Sequence, residues 1–145
     1  MAYPLDQQKR STNASLPPAK TGLADLPTWF YWLALLIWMS LIFWFSHQPH
    51  VPGLPDEIFD LLFKKLAHAT AYAILMGLWW FALKGTRLPA GWRLIIAFSL
   101  TLLYAISDEW HQTFVPNRHG QPADVLVDSI GMLVTTLFIR LRRSS

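Results

Sequence analysis

Four long apolar runs, separated by stretches rich in Pro and Gly, set the pattern of this chain. The first, Trp29 to Phe45, holds Ser40 as its single clearly polar member, and a bilayer-spanning helix needs about 17 to 25 such residues. The second, about Leu61 to Leu83, is apolar except for Lys64, Lys65, His68, Thr70 and Tyr72, all in its first half. Trp92 to about Trp110 makes a third, with Arg93 able to snorkel at one end and Asp108 and Glu109 at the other. The fourth, about Asp124 to Leu141, carries Asp128 and Ser129 in its first two turns. Short breaker-rich connections between long apolar helices predict an all-α, polytopic membrane protein, an antiparallel bundle of four transmembrane helices. Residues 1–28 read as a polar tail and 29–143 as the membrane domain. The first run begins late and lacks a small-residue cleavage pattern, so it is predicted to stay as an anchor and not to be removed as a signal peptide.

Composition sharpens this. Of 145 residues, 53% are apolar and only 14% are Asp, Glu, Lys or Arg, against about 25% charged in soluble domains. A surface with so few charges does not stay in water, and the absence of Cys excludes a disulfide framework. A net charge of +3 raises nucleic acid as a partner, but the bases sit in short groups between apolar runs and form no stripe, which excludes it. They read instead as topology signals. Lys9, Arg10, Lys20, Lys84, Arg87, Arg93, Arg140, Arg142 and Arg143 fall on one side, and Lys64, Lys65 and Arg118 on the other. Both termini are therefore expected in the cytoplasm, with loops 46–60 and 111–123 outside. Seven of the Trp residues fall near predicted span ends, and Trp38 alone lies mid-span.

With that topology drawn, all five histidines and the acids Asp56, Glu57, Asp60, Asp108, Glu109, Asp124 and Asp128 lie in the outer half. Ionisable groups at membrane depth cost about 2.5–3.5 kcal/mol each on insertion scales, so they face a bundle interior or a wet cavity. Helical geometry gathers them. Lys64, Lys65, His68 and Tyr72 share an arc on span two; Tyr104, Ser107, Asp108, His111 and Gln112 share a face on span three, from which Glu109 points away; Asp124, Asp128 and Gly131 line up on span four. A polar pocket opening outward is the simplest arrangement.

Taken together, Lys65-x2-His68-x3-Tyr72, then Tyr104-Ala105-x-Ser107-Asp108-Glu109-x-His111-Gln112-x-Phe114-x-Pro116-x-Arg118, then Asp124, Asp128 and Gly131, resemble the VanZ-like family of small integral membrane proteins. Phe45-Ser46-x-Gln48-Pro49 also fits, and the resemblance runs over about residues 40–135. Asn117 stands where a glycine is common in that family, and Asp128 where Asn is frequent. The resemblance implies a bacterial cytoplasmic (inner) membrane protein working at the cell envelope, in a family whose founding members are associated with glycopeptide-antibiotic resistance.

The pocket residues admit several chemistries. As an enzyme, the chain would use His68 or His111 as proton carrier oriented by Asp108 or Asp124. A Ser107–His111–Asp triad is weakened by Ser107 and His111 lying on one helix and by the absence of a Gly-x-Ser-x-Gly elbow. A divalent cation is admitted by the donor types of His68, His111, Asp108, Asp124 and Asp128, but no specific motif such as His-Glu-x-x-His calls for it. As a binding protein, it would use Lys65, Tyr72, Tyr104, Glu109, Gln112, Arg118, Asp124 and Asp128 to hold an outer-leaflet lipid headgroup, an envelope precursor or an amphiphilic compound. Transport would require an oligomer, since four spans contain no paired broken helices. The plainest alternative is polar packing glue: Lys64 or Lys65 paired with Asp108, Asp124 or Asp128, and Arg118 clamping a loop.

Overall fold

The computed structural model describes residues 26–49, 53, 55–118 and 120–144; the polar tail over 1–25, and with it the expectations placed there, lies outside the described residues. Four helices follow one another: α1 (Thr28–Ser46), α2 (Glu57–Ala82), α3 (Ala90–Gln112) and α4 (Pro122–Ser144), with a single 3-10 turn, Leu83–Gly85, prolonging α2. The described residues contain no strand. All four helices are long and apolar enough to cross a membrane.

Helix starts follow local chemistry. α1 and α3 open after Pro27 and Pro89, and α4 opens on Pro122, whose missing N–H is one that a first helical turn leaves unpaired in any case. α2 is capped by Asp56, whose carboxylate accepts from the Ile58 and Phe59 amides at 2.9 and 3.1 Å, while Glu57 and Asp60 complement the positive end of the helix dipole. Those acids explain why α2 begins at Glu57 and not at Leu61. Apolarity locates the part of a helix that lipid touches, whereas the cap lies in the polar turn before it.

The chain runs up and down. Tyr31 near the start of α1 stacks on Phe81 near the end of α2, at 5.2 Å between ring centroids, and Ser46 at the end of α1 meets Asp108 near the end of α3. α2 packs against all three other helices. Its union with α4 is the closest: a Cβ on Gly131 would lie 1.9 Å from the Ala69 carbonyl oxygen, so the two backbones touch where the glycine lacks a side chain. Further along, Thr135 Oγ1 donates to the Ala73 carbonyl at 3.0 Å. Small residues that let backbones approach, with hydroxyls bonding across, are how helices associate in lipid, where burial of apolar surface drives little.

The core holds Leu35, Tyr72, Leu75, Met76, Ala97, Ala105 and Met132, while large side chains such as Trp29, Leu36, Leu66, Leu103, Leu126 and Val134 stand outward and exposed. An apolar surface this continuous belongs against acyl chains. Trp38, the mid-span tryptophan, donates its indole N–H to the Ala71 carbonyl at 2.9 Å, and Tyr104 OH donates to the Met39 carbonyl at 2.7 Å. At the end where α1 and α3 begin, Arg93 lies 4.3 Å over the Trp80 ring and Arg143 approaches the same ring at 5.9 Å. The opposite end collects the acids and the described histidines.

Candidate functional site

That opposite end, where α1 and α3 finish and α2 and α4 begin, contains three distinct polar groupings. The largest surrounds a cavity of about 400 Å³ between α2, α3, α4 and the loop joining α3 to α4, lined among others by Lys65, His68, Glu109, Arg118, Asp124 and Asp128. At its rim Lys65 pairs with Asp124, joining the third turn of α2 to the first turn of α4. Lys64 is paired within its own helix with Asp60, at 2.6 Å. Arg118, from the connecting loop, reaches to α1 and donates from Nε to the Gln48 carbonyl at 3.1 Å and from Nη2 to the Phe45 carbonyl at 3.0 Å. These contacts are of the pairing and clamping kind expected of polar glue.

The floor of the cavity is different. Glu109 is buried, with Oε2 accepting from the Gln121 amide at 3.0 Å and Oε1 3.5 Å from Gln112 Nε2. Asp128 is fully buried, and neither of its carboxylate oxygens has a hydrogen-bond partner among the described residues. Nearest to it stands His68, whose Nδ1 is 3.7 Å from Asp128 Oδ1 and is likewise without a hydrogen bond.

The second grouping centres on Asp108. One carboxylate oxygen, Oδ2, accepts from Ser46 Oγ at 2.8 Å, Tyr72 OH at 3.0 Å and Gln112 Nε2 at 3.2 Å. This buried node bonds α1 and α2 to α3, and its charge is dispersed over three donors. The third lies on the bundle surface: His111 Nε2 is 3.2 Å from His47 Nδ1, and the two imidazoles stack with Phe43, whose centroid is 4.8 Å from that of His111. His111 lines a separate recess of about 270 Å³ with Tyr104 and Ser107.

The candidates are thus dispersed differently from the expected single pocket. Lys65, His68, Glu109, Gln112, Arg118, Asp124 and Asp128 gather at the cavity, Tyr72 and Asp108 form the node beside it, and His111 and Tyr104 face the recess. Ser107 donates to the Tyr104 carbonyl at 2.8 Å and is exposed, while the contact of His111 goes to His47, so no Ser–His–Asp relay is assembled among the described residues. His50 and His119 lie outside the described residues. Glu109, expected to turn away from the polar face of span three, is turned into the cavity. The buried stripe of α3 runs through Ala97, Thr101, Ala105, Asp108, Glu109 and Gln112, one position round from the Tyr104–Ser107–His111 line. Small residues at spacings of four, Ala97, Thr101 and Ala105, are the signal that marks this stripe. Ser46, the polar residue closing α1, is a further member of the site that sequence reasoning assigned no role.

A family model described as VanZ/LLP1 matches residues 30–143 of the chain. Neither the curated proteins nor the solved structures yield a match.

Proposed function

The chain belongs to the VanZ/LLP1 family, and from that premise we propose that it is a multi-pass protein of the bacterial cytoplasmic membrane that binds an amphiphile of the cell envelope. The headgroup occupies the cavity and the apolar chain lies in the adjoining groove. One observation carries this reading. Beside the polar cavity runs an apolar groove of about 360 Å³ between α3 and α4, lined by Ile106, Trp110, Pro122 and Val125 among others, and Glu109 and Gln121 form a wall common to both. A polar chamber sharing a wall with a lipid-facing groove matches a molecule that is polar at one end and apolar at the other. Lys65 and Arg118 line the cavity, and a headgroup oxygen would share them with the partners they already hold, Asp124 and the Phe45 and Gln48 carbonyls. The distribution of Lys and Arg favours an outward-facing mouth, with both termini cytoplasmic. An amphiphilic glycopeptide-type compound is a second occupant of the same chemistry.

The test is photocrosslinking in nanodiscs with a phosphatidylglycerol carrying a diazirine in one acyl chain. Labelling is expected to concentrate on Ile106, Trp110 and Val125, and Val127→Phe, which fills the cavity, should lower it about tenfold, the equivalent of ~1.4 kcal/mol. Labelling spread evenly over the four helices, and unchanged in Val127→Phe, refutes the proposal.

A further inference from the structure

The floor of the cavity holds two buried carboxyl groups that none of the lining cations neutralises. Two buried carboxylates, Glu109 and Asp128, face His68 there, and the three side chains come from three different helices, α3, α4 and α2. Each cation lining the cavity is engaged elsewhere: Lys64 with Asp60, Lys65 with Asp124, Arg118 with the carbonyls of Phe45 and Gln48. Asp128 is left at 0% exposure with both oxygens unpartnered among the described residues. A buried carboxylate without a donor or a counter-ion is among the most costly groups a protein can hold, and a membrane-embedded bundle brings little water to relieve it. A proton on the carboxyl or a cation between the groups relieves that cost, and the geometry here suits a cation.

We infer that His68, Glu109 and Asp128 form a binding site for one divalent transition-metal cation of the zinc type. One ligand atom from each of the three lies within 4.8 Å of the other two, and His68 Nδ1 and Asp128 Oδ1, at 3.7 Å, are already near the spacing of two ligands on one ion. Zinc bonds imidazole nitrogen and carboxylate oxygen at about 2.0–2.2 Å, so movements of about 1 Å in the side chains close the set. The charge balances: a dication, two carboxylates and a neutral imidazole sum to zero, the arrangement with the lowest cost in a low-dielectric interior. A mixed nitrogen and oxygen donor set favours this class over Mg²⁺, which prefers oxygen ligands and keeps its waters. Support around the ligands is present as well. The Gln121 amide donates to Glu109 Oε2 and Gln112 lies beside Oε1, the outer contacts that orient a ligating carboxylate. Three protein ligands leave a coordination position open, and the cavity supplies the room in front of it.

The site does not depend on an amphiphile occupying the cavity, and the test uses the metal alone. Full-length protein purified in detergent is stripped with EDTA, dialysed against Zn²⁺, Mn²⁺ or Mg²⁺, and measured for bound metal and for thermal unfolding. One equivalent of Zn²⁺ per chain is expected, with a rise in Tm that EDTA reverses and that Mg²⁺ does not reproduce. Glu109→Gln and Asp128→Asn should each lose the bound equivalent and the rise in Tm, whereas Glu57→Gln, exposed at the start of α2 and outside the cavity, keeps both. Without metal, Asp128→Asn should melt close to the stripped wild type, because a buried carboxyl without a counter-ion is neutralised by a proton and an amide of the same shape replaces it; this guards against loss of metal through loss of fold. Substoichiometric Zn²⁺ in the wild type, a Tm indifferent to the ion, or full retention in Glu109→Gln and Asp128→Asn overturns the inference.

Discussion

Asn117 holds a left-handed backbone conformation, with φ of 61°, and is the sole non-glycine residue to do so among the described residues. Its short amide side chain tolerates that region, which costs other L-residues about 1–2 kcal/mol. This gives a physical reason for the glycine common at this position in the family. Asn117→Gly should therefore leave Tm nearly unchanged, and Asn117→Val should lower stability by about 1–2 kcal/mol, read by thermal unfolding in detergent. Equal effects of the two would show that the loop does not require the left-handed form. At this scale the sequence was only partly legible. Residue types announced a polar site, and Lys64 or Lys65 could be set against Asp108, Asp124 or Asp128 without a choice among them; the pairing of Lys65 with Asp124 came from the structure. Which acid remains unpaired could not be read, because the answer depends on Arg118 being spent on the carbonyls at the end of α1.

At the scale of elements, hydrophobic length found all four helices, since lipid imposes a minimum span that the composition must meet. What it could not supply was the rotation of α3. Tyr104, Ser107 and His111 are polar and lie on one line, yet in lipid a polar atom can be satisfied by its own helix or a surface neighbour, as Ser107 and His111 are. The close contact of α2 with α4 provides a sharper test than polarity. Gly131→Ala places a methyl against the Ala69 backbone oxygen and should cost about 1–3 kcal/mol as the helices are forced apart. Gly77→Ala, where the nearest atom to the new Cβ is Thr135 Cγ2 at 3.9 Å, should be neutral or mildly stabilising. Similar losses of Tm in both variants would mean that the contact at Ala69 is not limiting.

Across the whole molecule, the described acids, among them Glu57, Asp60, Asp108, Glu109, Asp124 and Asp128, lie at one end with Lys64, Lys65 and Arg118, while Lys84, Arg93, Arg140, Arg142 and Arg143 lie at the other. The expected orientation is open to labelling, because the chain has no native Cys. Glu57→Cys and Ser144→Cys place thiols at exposed positions on opposite ends. An impermeant maleimide should modify the first in intact cells and the second only after permeabilisation, and the reverse pattern overturns an outward-facing cavity. Gly120 is unsuitable for such labelling, since a Cβ there would lie 2.0 Å from the Glu109 carbonyl oxygen.

The bond between Lys65 and Asp124 spans 59 residues of sequence, and this separation governs how the protein is made. A ribosome adding about 5–20 residues per second takes roughly 3–12 s to synthesise that interval. Until it has passed, Asp60 is present to neutralise Lys64 but there is no α4 to receive Lys65 or His68. The polar surroundings of the first half of α2 are therefore complete only when the last helix arrives. A chain truncated before Asp124 would hold its second helix out of register with the bilayer and present it to quality-control proteases.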